Sequence, residues 1–194
     1  KALLSQIGHL GDLANLLSEI SQSLQLIRPH QTMQRVAELS ELTQKAQPLL
    51  EHTAATRPFE LLMGSVIQSY APMAHTDPLN PEKVRSTLEV ERQMIRWYAD
   101  HEHWVQAISL AREWLLSWVM VQLGLTNITQ LSARQRFENV INGEANEYRV
   151  AKQAKKTFAP VFLAPISQVE TVLSLWLRLA EIRNDIDHAG MRED

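Results

Sequence analysis

The sequence predicts an all-α fold, an antiparallel helical bundle of about seven or eight helices. Three observations carry that prediction. Apolar residues recur at spacings of three and four over most of the chain, the period of one helix face. No stretch alternates apolar and polar residues as a strand does, and no glycine-rich phosphate loop appears. Leu, Ala, Glu and Gln abound while Gly is held to 6 residues in 194, a composition that favours helix.

Ala2 to Ile27 reads as a long amphipathic helix with Leu3, Ile7, Leu10, Leu13, Leu17, Ile20, Leu24 and Ile27 inward, and Pro29 ends it. A second helix runs from Thr32 towards Leu50 on Val36, Leu39, Leu42 and Ala46, and Pro48 should kink or shorten it. A third begins near Pro58 and reaches Tyr70, carrying Phe59, Leu62, Met63, Val66 and Ile67. Pro72, Pro78 and Pro81 then forbid continuous helix. Residues 72–81 read as a linker between an N-terminal helical part, 1–71, and a second part, 82–194. Asn80 caps the next helix, with Pro81 at its first position, and Ala99 marks its end. Asp100 to Trp104 is a short corner with exposed imidazoles at His101 and His103. Trp104 to Leu123 is the most apolar helix; Trp114 and Trp118 read as core rather than as a base-stacking platform, and Gly124 stops it. Ser132 and Gln135 form a capping box that opens a helix ending at Asn142-Gly143, and Glu144 to Phe158 forms another. Pro160 and Pro165 bracket an apolar loop, and a second capping box, Ser167 with Glu170, opens the last helix.

The length fits one domain, or one domain with a helical extension. A net charge of −3 argues against a protein that coats polyanions, yet leaves room for a small RNA site because local charge decides there. With no Cys, disulfides, zinc–thiolate sites and thiol nucleophiles are excluded. His9, His30, His52 and His75 show no shared carboxylate and no metal-ligand spacing, and read as surface or cap residues. Neither a metal nor another cofactor is expected. The longest apolar run, Trp114 to Leu125, is too short and too interrupted for a bilayer, and no signal peptide is visible, so a cytoplasmic location away from membranes is expected. The chain opens inside an amphipathic pattern without a start Met, which suggests that an N-terminal part lies outside it.

The chemistry concentrates between Leu175 and Gly190. Val169, Val172, Leu173, Trp176, Leu179 and Ala180 fall on one helical face. The same face then meets Arg183 and Asp187, with Asn184 beside it and His188 at its edge. Polar groups on a buried stripe need partners: a second protein surface, an anion or water. A second feature is basic. Arg149, Lys152 and Lys156 share a helix face with Lys155 adjacent and no acidic residue between, which suits either solvation or tracking of single-stranded RNA phosphates.

Arg183-Asn184-Asp185-Ile186-Asp187-His188 resembles the motif of the HEPN superfamily of RNA-cleaving helical domains, an Arg (often Arg-Asn) followed by His after four to six residues. Ala189-Gly190 and the segment Ala107 to Val119 look like the HEPN half of CRISPR-associated CARF–HEPN ribonucleases. Spacing alone is weak: with 13 Arg and 7 His about 1.4 chance matches are expected, and Arg96 also matches with His101 and with His103. Asn184, Gly190 and the interrupted apolar stripe select Arg183 with His188.

The resemblance implies a metal-independent endoribonuclease for single-stranded RNA, with Arg183, Asn184 and His188 catalytic. The chemistry is consistent. RNA carries its own nucleophile, the 2′-hydroxyl. His can exchange protons near neutrality, Arg can meet charge growing on phosphate, and Asn can orient either. The resemblance also implies a homodimer in which two motifs face one cleft, and the apolar stripe of the last helix would bring Trp176 or Leu179 to the interface. It implies a role in antiviral defence and control by cyclic oligoadenylate through a CARF domain that would lie outside this chain. Readings from other classes are a catalytically silent dimerisation or interaction module, and a toxin subunit gated by a partner protein.

Overall fold

Helical periodicity predicts the architecture, and the chain folds as an all-α helical bundle. The structure, a computed structural model, describes residues 2–52, 57–125 and 128–187, with side chains placed for 8–47, 62–125 and 128–186. Among these lie seven α-helices: α1 Ala2–Gln25, α2 Pro29–His52, α3 Arg57–Tyr70, α4 Val84–Asp100, α5 Trp104–Gln122, α6 Leu131–Gln153 and α7 Val169–Asp187. The chain divides into two units, Lys1–Met94 and Ile95–Asp194, and the division falls inside α4.

In the first unit α1 and α2 form an antiparallel hairpin. Leu13, Leu16, Ile20 and Leu24 of α1 are buried, as are Met33, Val36, Leu39 and Ala46 of α2. Leu16, not Leu17, fills the core at that turn. The hairpin turn is tight because Ile27 takes φ 53, which lets Arg28 N–H donate to Ser23 O. That is the left-handed helix ending in which a residue beyond the last turn satisfies orphan carbonyls. Pro29 opens α2 rather than merely ending α1, since its missing N–H is one the first turn leaves unused. The buried hydroxyls of Ser23 and Thr32 meet at 2.8 Å across the hairpin.

Helix α2 also runs through Pro48 to His52, so the proline does not shorten it. The carbonyl that Pro48 cannot serve belongs to exposed Gln44, where water can take the missing bond. The proline-rich segment lies within the first unit. Met73 and Pro78 are buried there, His75 N–H donates to Met33 O, and Thr87 Oγ1 donates to Pro78 O. Asn80 Oδ1 accepts from Glu82 N–H at 3.0 Å, the expected cap, and the turn it opens is a 3₁₀ turn that leads into α4. His30 is not simply a surface residue: its Nε2 lies 3.2 Å from Oε1 of buried Glu91.

The second unit is built on α5, α6 and α7. Leu115, Leu116, Val119 and Met120 of α5, Ile141 and Ala145 of α6, and Leu173 and Trp176 of α7 form its centre. Trp176 sits near Asn142 while Tyr148 sits near Thr171 and Ser174, so α6 and α7 run antiparallel. Two expectations for α6 are corrected. It begins at Leu131 on Gln130, so Ser132 lies inside the first turn and caps nothing. It also passes through Gly143 without a break. Gly143 does not take a positive φ, and its neighbours Ile141, Glu144 and Ala145 are buried, so packing overrides the weak helix preference of glycine. Helix α6 stops at Gln153, five residues before Phe158. Helix α7 starts at Val169, because Gln168 takes φ 60 and only its carbonyl joins the first turn.

Candidate active site on the last helix

Helix α7 presents the expected stripe. Val172, Leu173, Trp176 and Leu179 are buried, and Val169 and Ala180 are half-buried. Two turns on from Trp176, the stripe reaches Arg183 and then Asn184, both half-buried, with the Arg183 Nε atom shielded from solvent. Asp185 is exposed. His188 lies outside the described residues, as does the side chain of Asp187. Trp176 is 1% exposed and Leu179 8%, so both are spent in the core of their own unit and cannot serve an interface as expected. On α7 the exposed apolar side chains are Leu175 and Ile182.

Beneath this helix is a buried cation that the sequence reading missed. Arg112 of α5 is 6% exposed, and its guanidinium carbon lies 4.6 Å from the centre of the Trp176 ring. Its Nη2 donates to Glu138 of α6, and Nη1 lies 3.5 Å from Glu113. Trp176 Nε1 in turn donates to Asn142 Oδ1 at 2.9 Å. One charge thus ties α5, α6 and α7 together, by cation–π attraction on one side and an ion pair on the other. Its Nε makes no hydrogen bond among the described residues. The signal was available: Arg112 lies among Leu110, Leu115, Leu116 and Val119 in the most apolar helix of the chain. Arg134 makes a second tie, donating to Ser117 Oγ, Ile128 O and Glu113.

The basic residues separate into two groups. Arg149 and Lys152 are exposed on α6; Arg149 donates to neutral Asn146 Oδ1 at 2.7 Å, and the Lys152 ammonium stands 5.6 Å from the Tyr148 ring centre. Lys156 is not on that helix. It lies in the turn beyond, where Lys155 takes φ 54 and Lys156 N–H donates to Ala151 O. The shared helical face therefore holds Arg149 and Lys152 alone. Among the described residues none of the four cations Arg149, Lys152, Lys155 and Lys156 has a carboxylate partner.

The competing motif sits at an open corner. Arg96 is 80% exposed and faces Asp100 at 3.6 Å. His101 Nδ1 lies 2.8 Å from Trp97 O, so that nitrogen carries the proton, and the imidazole stacks on Trp97 at 4.2 Å. Glu102 at φ 61 turns the chain, and burial pushes the Tyr98 phenol below it up to about 12. Arg96 is a solvated surface residue.

One carboxylate that the sequence hides shapes the approach to α7. Glu144 of α6 is 4% exposed and accepts backbone N–H groups from Val161, Phe162 and Leu163. It fixes the loop between Pro160 and Pro165 while the side chains of Val161 and Phe162 stay in solvent. Among the described residues no helix is long and apolar enough to cross a membrane, and no group of three His, Asp or Glu could hold a metal ion. Compared with known protein families, with curated proteins and with solved structures, the chain matches none.

Proposed function

We propose that this chain is a metal-independent endoribonuclease of single-stranded RNA, with Arg183, Asn184 and His188 as its catalytic residues and Arg149, Lys152 and Lys156 as strand contacts. The observation that carries the reading is the pair Arg183 and Asn184, half-buried at the end of a helix whose upstream face is core. There a guanidinium and a carboxamide stand together at the end of a packed stripe, and both can donate to the oxygens of a phosphate.

In the proposed reaction a base takes the 2′-hydroxyl proton and the 2′ oxygen attacks the adjacent phosphorus. The bond from phosphorus to the 5′ oxygen breaks, and that oxygen leaves with a proton from an acid. The products are a 2′,3′-cyclic phosphate and a 5′-hydroxyl, with no water consumed. His188 supplies one proton transfer and Arg183 meets the charge on the phosphoryl oxygens. A reaction with two proton transfers favours a homodimer, in which the second His188 supplies the other. Ile182, exposed beside Arg183, is the apolar residue of α7 placed to join such an interface. The wider role we propose is antiviral defence, with a cyclic oligoadenylate acting through a CARF domain outside this chain.

The test is cleavage of labelled single-stranded RNA by the purified chain in EDTA. Arg183→Ala or His188→Ala should lower the rate by on the order of 10², as for loss of an acid–base or charge-stabilising group. The triple variant Arg96→Ala, His101→Ala, His103→Ala should retain most activity. Loss of cleavage on chelation with rescue by a divalent metal would overturn the mechanism.

A further inference from the structure

A groove of about 380 Å³ runs between α6 and the first turns of α7, lined by Tyr148, Glu170, Thr171, Ser174, Leu175 and Arg178. Arg178 is exposed and has no ion pair or hydrogen bond among the described residues. Tyr148 is 8% exposed, and its hydroxyl makes no hydrogen bond among the described residues. Lys152 stands over its ring and Phe158 packs against it at 5.5 Å with the two rings near perpendicular. What the groove still offers is the Arg178 guanidinium and hydroxyls at Tyr148, Ser174 and Thr171, with the Lys152 ammonium 5.6 Å from the Tyr148 ring centre. Its single lining carboxylate, Glu170, is outnumbered by Arg178 and Lys152, with Arg149, Lys155 and Lys156 close by in sequence.

Elsewhere most of the cations are neutralised. Arg35, Lys45, Lys83, Arg92, Arg96, Arg112 and Arg134 all have carboxylate partners. Cations left unpaired around a concave, hydroxyl-lined surface are the arrangement a phosphodiester needs: charge to neutralise it and donors for its oxygens.

We infer that this groove docks a backbone phosphate of the RNA strand, held by Arg178, Lys152 and the Tyr148 and Ser174 hydroxyls. The inference rests on the ribonuclease reading for the identity of the strand. Five residues separate Arg178 from Arg183 on one helix, about 7.5 Å of rise. The same five residues turn about 140° around the helix axis, so a strand in the groove passes round α7 to reach the catalytic end. The groove binds and does not react; it fixes the register of the strand and contributes affinity.

The experiment measures binding of a labelled single-stranded RNA to the His188→Ala chain over a range of salt. Arg178→Gln should weaken binding about fivefold and lower the slope of log affinity against log salt by about 0.7, the release expected for one phosphate contact on a single strand. Tyr148→Phe keeps the packing and should weaken binding about threefold through the lost hydroxyl alone. Arg85→Gln, which removes an exposed unpaired cation from the first unit, should leave the slope unchanged. An unchanged slope in Arg178→Gln, or an equal loss in Arg85→Gln, overturns the groove. Adenosine monophosphate serves as a second probe. If Arg178→Gln weakens its binding and leaves RNA binding intact, the groove takes a free nucleotide and the inference is wrong. A wild-type chain that binds RNA through Arg178 but never cleaves it would sink the ribonuclease reading and leave the docking groove standing.

Discussion

Glu144 is a carboxylate with three backbone donors and almost no water, a position where charge is tolerated because those N–H groups replace its hydration. Replacing it with Gln removes the charge and turns an amide NH₂ towards N–H groups that already point inward. Glu144→Gln should cost about 2–3 kcal/mol in urea denaturation; a change under about 0.5 kcal/mol, the scale of an ordinary surface substitution, would show that the loop finds other acceptors. Nothing in the sequence could have singled this residue out. Its partners lie 17 to 19 positions away and contribute backbone rather than side chains. Arg183 and Asn184 were legible for the opposite reason, since a polar pair that interrupts a regular apolar stripe shows in one dimension. Arg178 was not, because an exposed Arg on a helix looks the same in sequence whether it faces bulk solvent or a groove.

Helix existence was legible nearly everywhere, because burial of one face imposes the period that sequence displays. Helix ends were legible only where a special residue marks them. Gly124 at φ 82 ends α5 as expected, with Leu125 N–H donating to Met120 O. The same closing turn ends α1, α4 and α6 with Ile27, Glu102 and Lys155, side chains that carry no such signal. That is why α6 was read through to Phe158 and Lys156 was placed on its face. The converse error came from Gly143, a residue that usually marks an end but here lies mid-helix with nothing within 4 Å of where a Cβ would stand. Gly143→Ala should therefore stabilise the chain by about 0.5–1 kcal/mol, from lower unfolded-state entropy and better helix propensity. A lower melting temperature for that variant would mean that the position needs more than helical backbone.

On the scale of the whole molecule, the net charge of −3 conceals a cationic region in the second unit, at the junction of α6 and α7. Composition alone missed it because it does not show which cations elsewhere are paired with carboxylates, some within one helix and some between helices. The homodimer reading has its own test at this scale. A heterodimer of an Arg183→Ala chain with a His188→Ala chain, purified on two tags, should recover part of the activity that both parents lack. Complete silence would show that each chain holds an independent site, and a structure with the two motifs on opposite surfaces of the dimer would remove the shared cleft.

The position of the division between the units has an optical consequence. All 5 tryptophans, Trp97, Trp104, Trp114, Trp118 and Trp176, lie beyond Met94. Intrinsic indole emission therefore follows the second unit only, dominated on unfolding by Trp176 as it leaves its place beneath Arg112. Far-ultraviolet circular dichroism sums the helices of both. The two signals recorded on one denaturation series compare a half of the chain with the whole, without a label or an added chromophore. Coincident midpoints would mean that the halves melt as one, and separated midpoints would give the stability of each.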